Sequence, residues 1–424
     1  MVPSDTFKSI RCPLYGFIDL TKTETAVLDT PAIQRLSRIK QLSHSHLVYP
    51  SAVHTRFEHS LGTLFVAGKI CDALELSIEQ KQIVRLAALL HDVGQGPYSH
   101  IWEEPMRWVN GEKFNHEDVT RLIIETDPEI SRALGTFKNQ VLEVFTKDSL
   151  LSDIISSSLD ADKLDYLRRD SYHSGVSYGR FDFDMVIHTI CKIHESDRDY
   201  LGIREKGIEA LENYRLARYG MHLQVYEHHA RIIADNMFLK AVKFALTEGS
   251  IDREALNASG DKFLEKYLLL DDYSVQNTIL QNADPTIKDL ITRIRNRQLM
   301  KRAVDIPLNK EGIPDAIKRR GVTQLDRKQT EEIEIQIADE LGISSAYIII
   351  HLQNVKIKLY ERFWEMIEKK EKPIYVLEKG GGITPFDEKS PFSSSLSQIN
   401  RLYVFCPKEY VEKVQPIAKR LLEF

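Results

Sequence analysis

Residues 86–100 read LAALLHDVGQGPYSH, an apolar helical run that ends in two histidines, an aspartate, a glutamine and three turn formers. The helix from Ile83 to Leu90 is apolar all round and therefore belongs in a core. A His–Asp pair at the end of a buried helix finds partners or costs several kcal/mol. For an isolated pair, a hydrogen-bonded core histidine is the plain reading. A metal is the other, and it requires further ligands elsewhere in the chain. His59 in RFEHSLG and Asp162 in LDADKLDYLRRD offer them, each on a helix-patterned segment rich in polar neighbours. Two imidazoles (His59, His91) and two carboxylates (Asp92, Asp162) suit a divalent Mn, Fe, Zn, Ni or Co ion and, less comfortably, Mg. A six-coordinate ion would keep two positions open for water or phosphate oxygen, as a catalytic site requires. Structural zinc would want a closed tetrahedral set, usually with thiolates, and no cysteines stand at that spacing.

The helical pattern extends in both directions from this run. RFEHSLGTLFVAGKICDAL, EQKQIVRLAALLHDV, HEDVTRLIIET and LDADKLDYLRRDSYHSG carry the 3.6-residue period, as does the long stretch IEALENYRLARYGMHLQVYEHHARIIADNMFLKAVKFALTEG. Thr30-Pro31 opens a helix through AIQRLSRIKQL, whereas GFIDL and TAVLD before it read as extended. CKIHESDRDYLGIRE reads as a hairpin. After about residue 300 the texture changes: IPLNKEGIPD, AYIIIHLQNVKIKLY, KPIYVLEKGGGITPF and RLYVFCP read as strands, and KEYVEKVQPIAKRLLEF as a helix. The GGG at 380–382 and SPFSSSLSQ mark a flexible loop. The expectation is a mainly α protein. A helical bundle over residues 1–300, with its motif core at about 45–245, carries the site, and a smaller C-terminal α+β domain over 301–424 serves oligomerisation or regulation.

Composition limits what such a protein can be. A chain of 424 residues, 42% hydrophobic and 28% charged, has ordinary soluble-globular usage and room for two or three domains. A formal net charge of −5 gives no global pull toward nucleic acid or anionic membrane. Phosphate binding must be local, and nucleic acid is not favoured as a partner. Cys12, Cys71, Cys191 and Cys406 lie far apart without a CxxC pair, which fits core fillers in a reducing compartment. No apolar run approaches the roughly 18 residues of a membrane span, and MVPSDTFKSIR lacks a signal-peptide core. A cytoplasmic protein without a membrane partner is expected.

The neighbours of the four candidate ligands describe a phosphate pocket. Arg56 lies one helical turn before His59 and Lys163 follows Asp162, while Asp162, Tyr166 and Asp170 recur on one helical stripe. Arg218, His222 and Tyr226 repeat that spacing, giving a guanidinium for phosphate oxygens and an aromatic ring for a base or sugar. Each stripe alone also suits a solvated face or a satisfied interior; together with the metal set they favour a nucleotide phosphate. His100, Glu103 and His116 are acid–base candidates, because a carboxylate beside an imidazole holds it charged and ready to donate to a leaving alkoxide.

These residues resemble a family, the HD-domain metal-dependent phosphohydrolases, and within it the deoxynucleoside triphosphate triphosphohydrolases. DTPAIQRLSRIKQL, YPSAVHTRFEHSLG, HDVGQGPYSH, DADKLDYLRRD and YRLARYGMHLQVYEHH occur in the family's order, covering roughly residues 10–245. The resemblance implies an HD-domain helical bundle and a metal held by His59, His91, Asp92 and Asp162. It implies triphosphate contacts from Arg56, Lys163, Tyr166 and Arg218, and a sugar held by Gln41, Leu42, Asp170 and Tyr226. The reaction would be water attack at the α-phosphorus of a dNTP, releasing deoxynucleoside and intact triphosphate. Gln95 stands where the family has a second histidine, as an amide that can hydrogen-bond a phosphate but cannot donate a proton as an acid. Glu103 replaces a shorter aspartate, and Glu227 replaces an amide beside the base. Asp29 and Gln34 match a regulatory-nucleotide site in which Ser37 takes an arginine's place. A homo-oligomer is expected. Two alternatives stay open: an HD phosphohydrolase acting on another nucleotide, and a catalytically idle nucleotide-binding regulator.

Overall fold

A computed structural model describes residues 6–195, 197–307, 327–355, 373–390 and 399–422. The chain divides into two compact units that interleave along it. The first takes Met1–Tyr226, Glu254–Asp272 and Lys358–Leu396; the second takes Glu227–Arg253, Tyr273–Ile357 and Ser397–Phe424. The composition, by contrast, changes once, near residue 300.

In the first unit, the helix Arg56–Ala73 packs against Ile78–Leu90 and against Ala161–Ser174. Local signals set where these helices begin. Glu58 accepts the Thr55 N–H at 2.7 Å, and Ser77 and Gln80 form a reciprocal capping box. Their inward faces, among them Leu64, Ile70, Leu86, Leu90, Leu164 and Leu167, are fully buried. Strands β1 (Lys8–Cys12) and β2 (Gly16–Leu20) form an antiparallel hairpin. TAVLD, expected to be extended, is instead mostly helix, Lys22–Leu28. Thr21 and Glu24 make a second capping box there, and the buried Glu24 carboxylate takes an ion pair from Arg85 at 2.7 Å. AIQRLSRIKQL is helical only through Pro31–Arg35, followed by a 3-10 turn at Leu36–Arg38.

CKIHESDRDYLGIRE is the expected hairpin, β3 (Ile190–Glu195) with β4 (Arg198–Arg204). The later pair β7 (Tyr375–Leu377) and β8 (Ile383–Pro385) joins it in the sheet order β3-β4-β7-β8, with β4 and β7 parallel. KPIYVLEKGGGITPF therefore belongs to the first unit and not to a C-terminal domain. Its GGG is the tight β7–β8 turn, where Gly381 takes φ +83° and the Glu378 N–H reaches the Gly382 carbonyl at 2.9 Å.

The second unit is α+β. Strands β5 (Lys301–Pro307), β6 (Ile349–Val355) and β9 (Ile399–Cys406) form an antiparallel sheet with β9 central. Helices Arg327–Leu341 and Val411–Leu421 contribute Ile337, Val414 and Ala418 to a core shared with Leu402 and Val404. The rest of IPLNKEGIPD after Pro307, the KIKLY of the next stretch and residues 391–398 of the serine-rich segment lie outside the described residues. The long helical stretch is also divided. Ile208–Met221 is followed by a π-helical turn at His222–Tyr226, and a new helix, His229–Thr247, starts behind a His228 cap. All four cysteines are free and buried. Among the described residues, no helix is long and apolar enough to cross a membrane.

Candidate metal centre

The three packed helices of the first unit bring the candidate ligands together. His59 comes from the first turn of Arg56–Ala73, His91 caps the end of Ile78–Leu90, and Asp162 lies in the first turn of Ala161–Ser174. His59 Nε2 stands 3.2 Å from His91 Nε2 and 3.0 Å from Asp162 Oδ1. Asp92 Oδ2 closes the group at 3.5 Å from His91 Nε2 and 3.7 Å from His59 Nε2. Bonds of about 2.1 Å at right angles put neighbouring ligand atoms about 3.0 Å apart, and tetrahedral angles put them about 3.4 Å apart. The observed separations run from 3.0 to 3.9 Å, the longest between His91 Nε2 and Asp162 Oδ1, and all lie below the about 4.2 Å of ligands on opposite sides of such an ion.

The hydrogen bonding behind the ligands fits a cation. His59 Nδ1 donates to Asp165 Oδ2 at 2.8 Å, and His91 Nδ1 donates to the Ala88 carbonyl at 2.7 Å. With Nδ1–H committed on both rings, both Nε2 atoms present lone pairs to one point, which is how histidine is oriented as a metal ligand. Burial alone would lower the His59 pKa, but its hydrogen bonds to Asp162 and Asp165 outweigh burial and raise it to about 10. The carboxyl of Asp92, despite its burial, is held well below the usual carboxylate range by Arg56 and the surrounding histidines.

Asp165, which carries no label in the sequence argument, anchors this arrangement. It is fully buried, takes Arg169 Nε and Nη2 at 2.9 Å each, and takes the Tyr15 hydroxyl at 2.8 Å. Helix Arg56–Ala73 passes so close that a Cβ on Gly62 would stand 2.0 Å from Asp165 Oδ1. A buried Asp–Arg pair at i, i+4 was the sequence signal available for it.

Arg56 donates through Nη1 to Asp92 at 2.6 Å and through Nε to Ser99 Oγ at 2.8 Å. Glu103 Oε1 is shared by His100 Nδ1 at 2.8 Å and His116 Nδ1 at 2.7 Å, and His116 Nε2 faces Asp92 at 3.7 Å. Burial pushes His116 down, but the Glu103 hydrogen bond outweighs it and raises its pKa. His100 remains exposed. Gln95 turns its amide N–H toward Asp92 Oδ1 at 3.3 Å, and its Oε1 is buried without a hydrogen bond among the described residues.

Lys163 pairs with Asp160 at 2.7 Å, and Tyr166 lies within the electrostatic reach of Arg218. Asp170 accepts from His54 Nε2 at 2.8 Å and from the Tyr226 hydroxyl at 2.7 Å. The π turn lets the His222 ring meet Tyr226 edge-on at 5.0 Å. Leu42 and Gln41 are buried, and among the described residues Gln41 Oε1 also lacks a partner. Glu227 begins the second unit, where its charge lies near Tyr403. Asp29 is paired with Lys8 at 3.4 Å, and Gln34 donates to the Leu28 carbonyl at 2.9 Å. Sequence reasoning also missed His54 and Arg35; Arg35 clamps the Gln95 carbonyl through both Nη atoms, at 2.8 and 2.7 Å.

Two family models match the chain, the HD domain over residues 56–170 and the HD associated region over residues 182–424. An uncharacterized protein of Methanocaldococcus jannaschii is 31% identical over 416 residues, 96% of this chain and 81% of its own length. The deoxynucleoside triphosphate triphosphohydrolase SAMHD1 of Homo sapiens is 28% identical over 351 residues, 70% of this chain and 55% of that protein. The crystal structure of a phosphohydrolase from Bacteroides thetaiotaomicron superposes with a TM-score of 0.75 at 25% identity, covering 94% of this chain and 99% of that one.

Proposed function

The chain belongs to the family of HD-domain proteins with an HD associated region, and on that premise we propose that it is a metal-dependent deoxynucleoside triphosphate triphosphohydrolase. The observation that carries the reading is a juxtaposition. Lys163 and Tyr166, which feel the charge of Asp162 and of Arg218, lie beside the convergent His59, His91 and Asp162 donors, with the Tyr166 ring 6.5 Å from that of His59. A relative that bears this activity in its name adds support.

When bound, a divalent ion held by His59, His91, Asp92 and Asp162 supplies Lewis-acid charge and activates water. The chain's own residues do the rest. Arg56 Nη2 makes no hydrogen bond among the described residues and takes a phosphate oxygen with Lys163 and Arg218. His116, whose charged form Glu103 favours, delivers a proton to the leaving oxygen. Asp170 and Tyr226 bound the sugar, and the unpartnered Gln41 Oε1 accepts from a sugar hydroxyl. We assign the second unit to assembly or regulation of a cytoplasmic homo-oligomer.

The test is product analysis after incubating the protein with Mn and each of four dNTPs and four NTPs, with His91→Ala as control. Deoxynucleoside plus inorganic triphosphate, absent with the variant, is the expected result. Silence across the dNTPs defeats the proposal, and turnover confined to NTPs reassigns the substrate.

A further inference from the structure

His54 is buried, 2% exposed, and no step of the proposed reaction uses it. Its Nε2 donates to Asp170 Oδ1 at 2.8 Å, while its Nδ1 has no partner among the described residues. A leucine or phenylalanine fills a buried site at lower cost than an imidazole with a single hydrogen bond. Packing alone therefore does not account for the residue. The ring is also fixed in place: it stacks on His173 with centroids 4.4 Å apart and planes 14° from parallel. Burial and the adjacent His54 push the His173 pKa down, which keeps that second ring neutral near pH 7.

His54 reaches two of the candidate sugar contacts, which lie on different segments of the first unit. Its side chain grips Asp170 on helix Ala161–Ser174. Its backbone carbonyl accepts the Gln41 N–H at 2.9 Å, next to the bridge that pairs Lys40 with Thr55. Asp170 is 1% exposed, and the Tyr226 hydroxyl donates to its other oxygen at 2.7 Å. Each carboxylate oxygen thus accepts one donor from the protein and keeps a lone pair for another. The buried Gln41 Oε1 has no partner among the described residues. Both groups are acceptors, so this end of the pocket suits a hydroxyl and disfavours a phosphate. Asp170 stands two helical turns beyond Asp162, about 12 Å along the axis, which separates hydroxyl recognition from the metal ligands.

We propose that His54 is the positioning residue of the sugar end of the site: holding Asp170 by its side chain and Gln41 by its carbonyl, it sets the spacing of two acceptors that select a ligand with a ring hydroxyl. His54 touches no substrate atom and acts through Asp170 and Gln41. The inference rests on reading those two residues as sugar contacts. Without the imidazole N–H, Asp170 Oδ1 loses its protein donor and the carboxylate is free to turn about the Tyr226 hydrogen bond. The phosphate contacts from Lys163 and Arg218 are untouched by that change, so the loss falls on hydroxyl recognition alone.

The test is calorimetric titration of the full-length protein, in chelator to prevent turnover, with dATP and with its dideoxy analogue, which lacks the remaining ring hydroxyl. The parent should prefer dATP by about tenfold or more. His54→Leu should weaken dATP to the level of the analogue and leave the analogue unchanged. His54→Gln should keep the preference, because its amide nitrogen lies as many bonds from Cβ as Nε2 does. His54→Asn, polar but too short to reach Asp170, should lose it and carries the test if His54→Leu does not fold. A merely structural role would weaken both nucleotides equally, and that result overturns the proposal. A preference that survives in His54→Leu and His54→Asn also overturns it while leaving the sugar contacts in place. A parent protein that binds both nucleotides alike, or neither, overturns the sugar reading and this inference together.

Discussion

Replacing Asp165 by Asn tests the support behind His59 with almost no change in shape. Four donors converge on the two Asp165 oxygens: His59 Nδ1, Arg169 Nε, Arg169 Nη2 and the Tyr15 hydroxyl, all within 2.9 Å. An amide keeps one oxygen and turns N–H groups toward the donors that used the other. Each buried donor left unpaired costs about 1–3 kcal/mol. Arg169, 1% exposed, also loses its counter-charge, and breaking a buried ion pair costs about 3–5 kcal/mol. These costs overlap, so we expect a loss of about 3–5 kcal/mol. At about 2–4 °C per kcal/mol for domains of this size, the melting temperature falls by about 10 °C. His59 also loses the acceptor that fixes its ring, and Mn affinity should fall about 10- to 100-fold. Thermal melts in chelator and Mn titration by calorimetry read the two effects separately. Tyr15→Phe removes a single donor and should cost about 1 kcal/mol. A variant that melts within about 1 kcal/mol of the parent and binds Mn unchanged would refute the assignment of Asp165 as the residue that positions His59.

Three further changes probe other links. Gly62→Ala places a Cβ 2.0 Å from Asp165 Oδ1 and 2.2 Å from Arg169 Nη2, so it should destabilise by about 1–3 kcal/mol or more, seen as a lower denaturation midpoint. Glu103→Gln removes the charge that raises His116; the protonated ring is then lost at lower pH, and the alkaline limb of kcat/KM should move acidward. An unmoved limb would remove His116 as the proton donor. In the second unit, burial pushes His351 down to about 4. Its neutral form is favoured on folding, so this stability is present above about pH 6.5 and is lost as pH falls toward 4, by up to about 3 kcal/mol. His351→Phe should flatten that slope in denaturant titrations between pH 7 and 4.5, and an unchanged slope would show that His351 does not contribute to it.

What could be read from the sequence was local. The apolar run ending at His91 and the helices bearing His59 and Asp162 follow from 3.6-residue periodicity and capping residues, and each forms where expected. TAVLD is helical because the Thr21–Glu24 capping box starts the helix before it and the buried Glu24–Arg85 pair holds that helix in place, contacts that lie outside the five residues themselves. The β7–β8 hairpin misled for a different reason. Strand patterning says nothing about which sheet a strand joins, and β7 pairs with β4 across a long stretch of chain.

The same distinction applies inside the site. Residue types at helical spacing pointed to the candidate metal donors, but the carboxylate that orients His59 comes from far along the chain, and no periodicity encodes it. Arg56 shows how far this reaches. It was expected to contact phosphate, and two of its nitrogens are committed to Asp92 and Ser99. Ser99 is in reach because Tyr98 and Ser99 take φ of 58° and 61°, a left-handed conformation costly for side-chain-bearing residues. Asp272 holds that turn by accepting the Tyr98 N–H at 2.6 Å. Buried deeply enough that its carboxyl is raised above the usual range, Asp272 also takes the Lys40 N–H at 3.1 Å. A carboxylate late in the first unit thus maintains the backbone strain that aims an arginine at a metal ligand. That dependence is a property of the folded contacts alone, which is why a motif reading can name Arg56 and cannot say what holds it there.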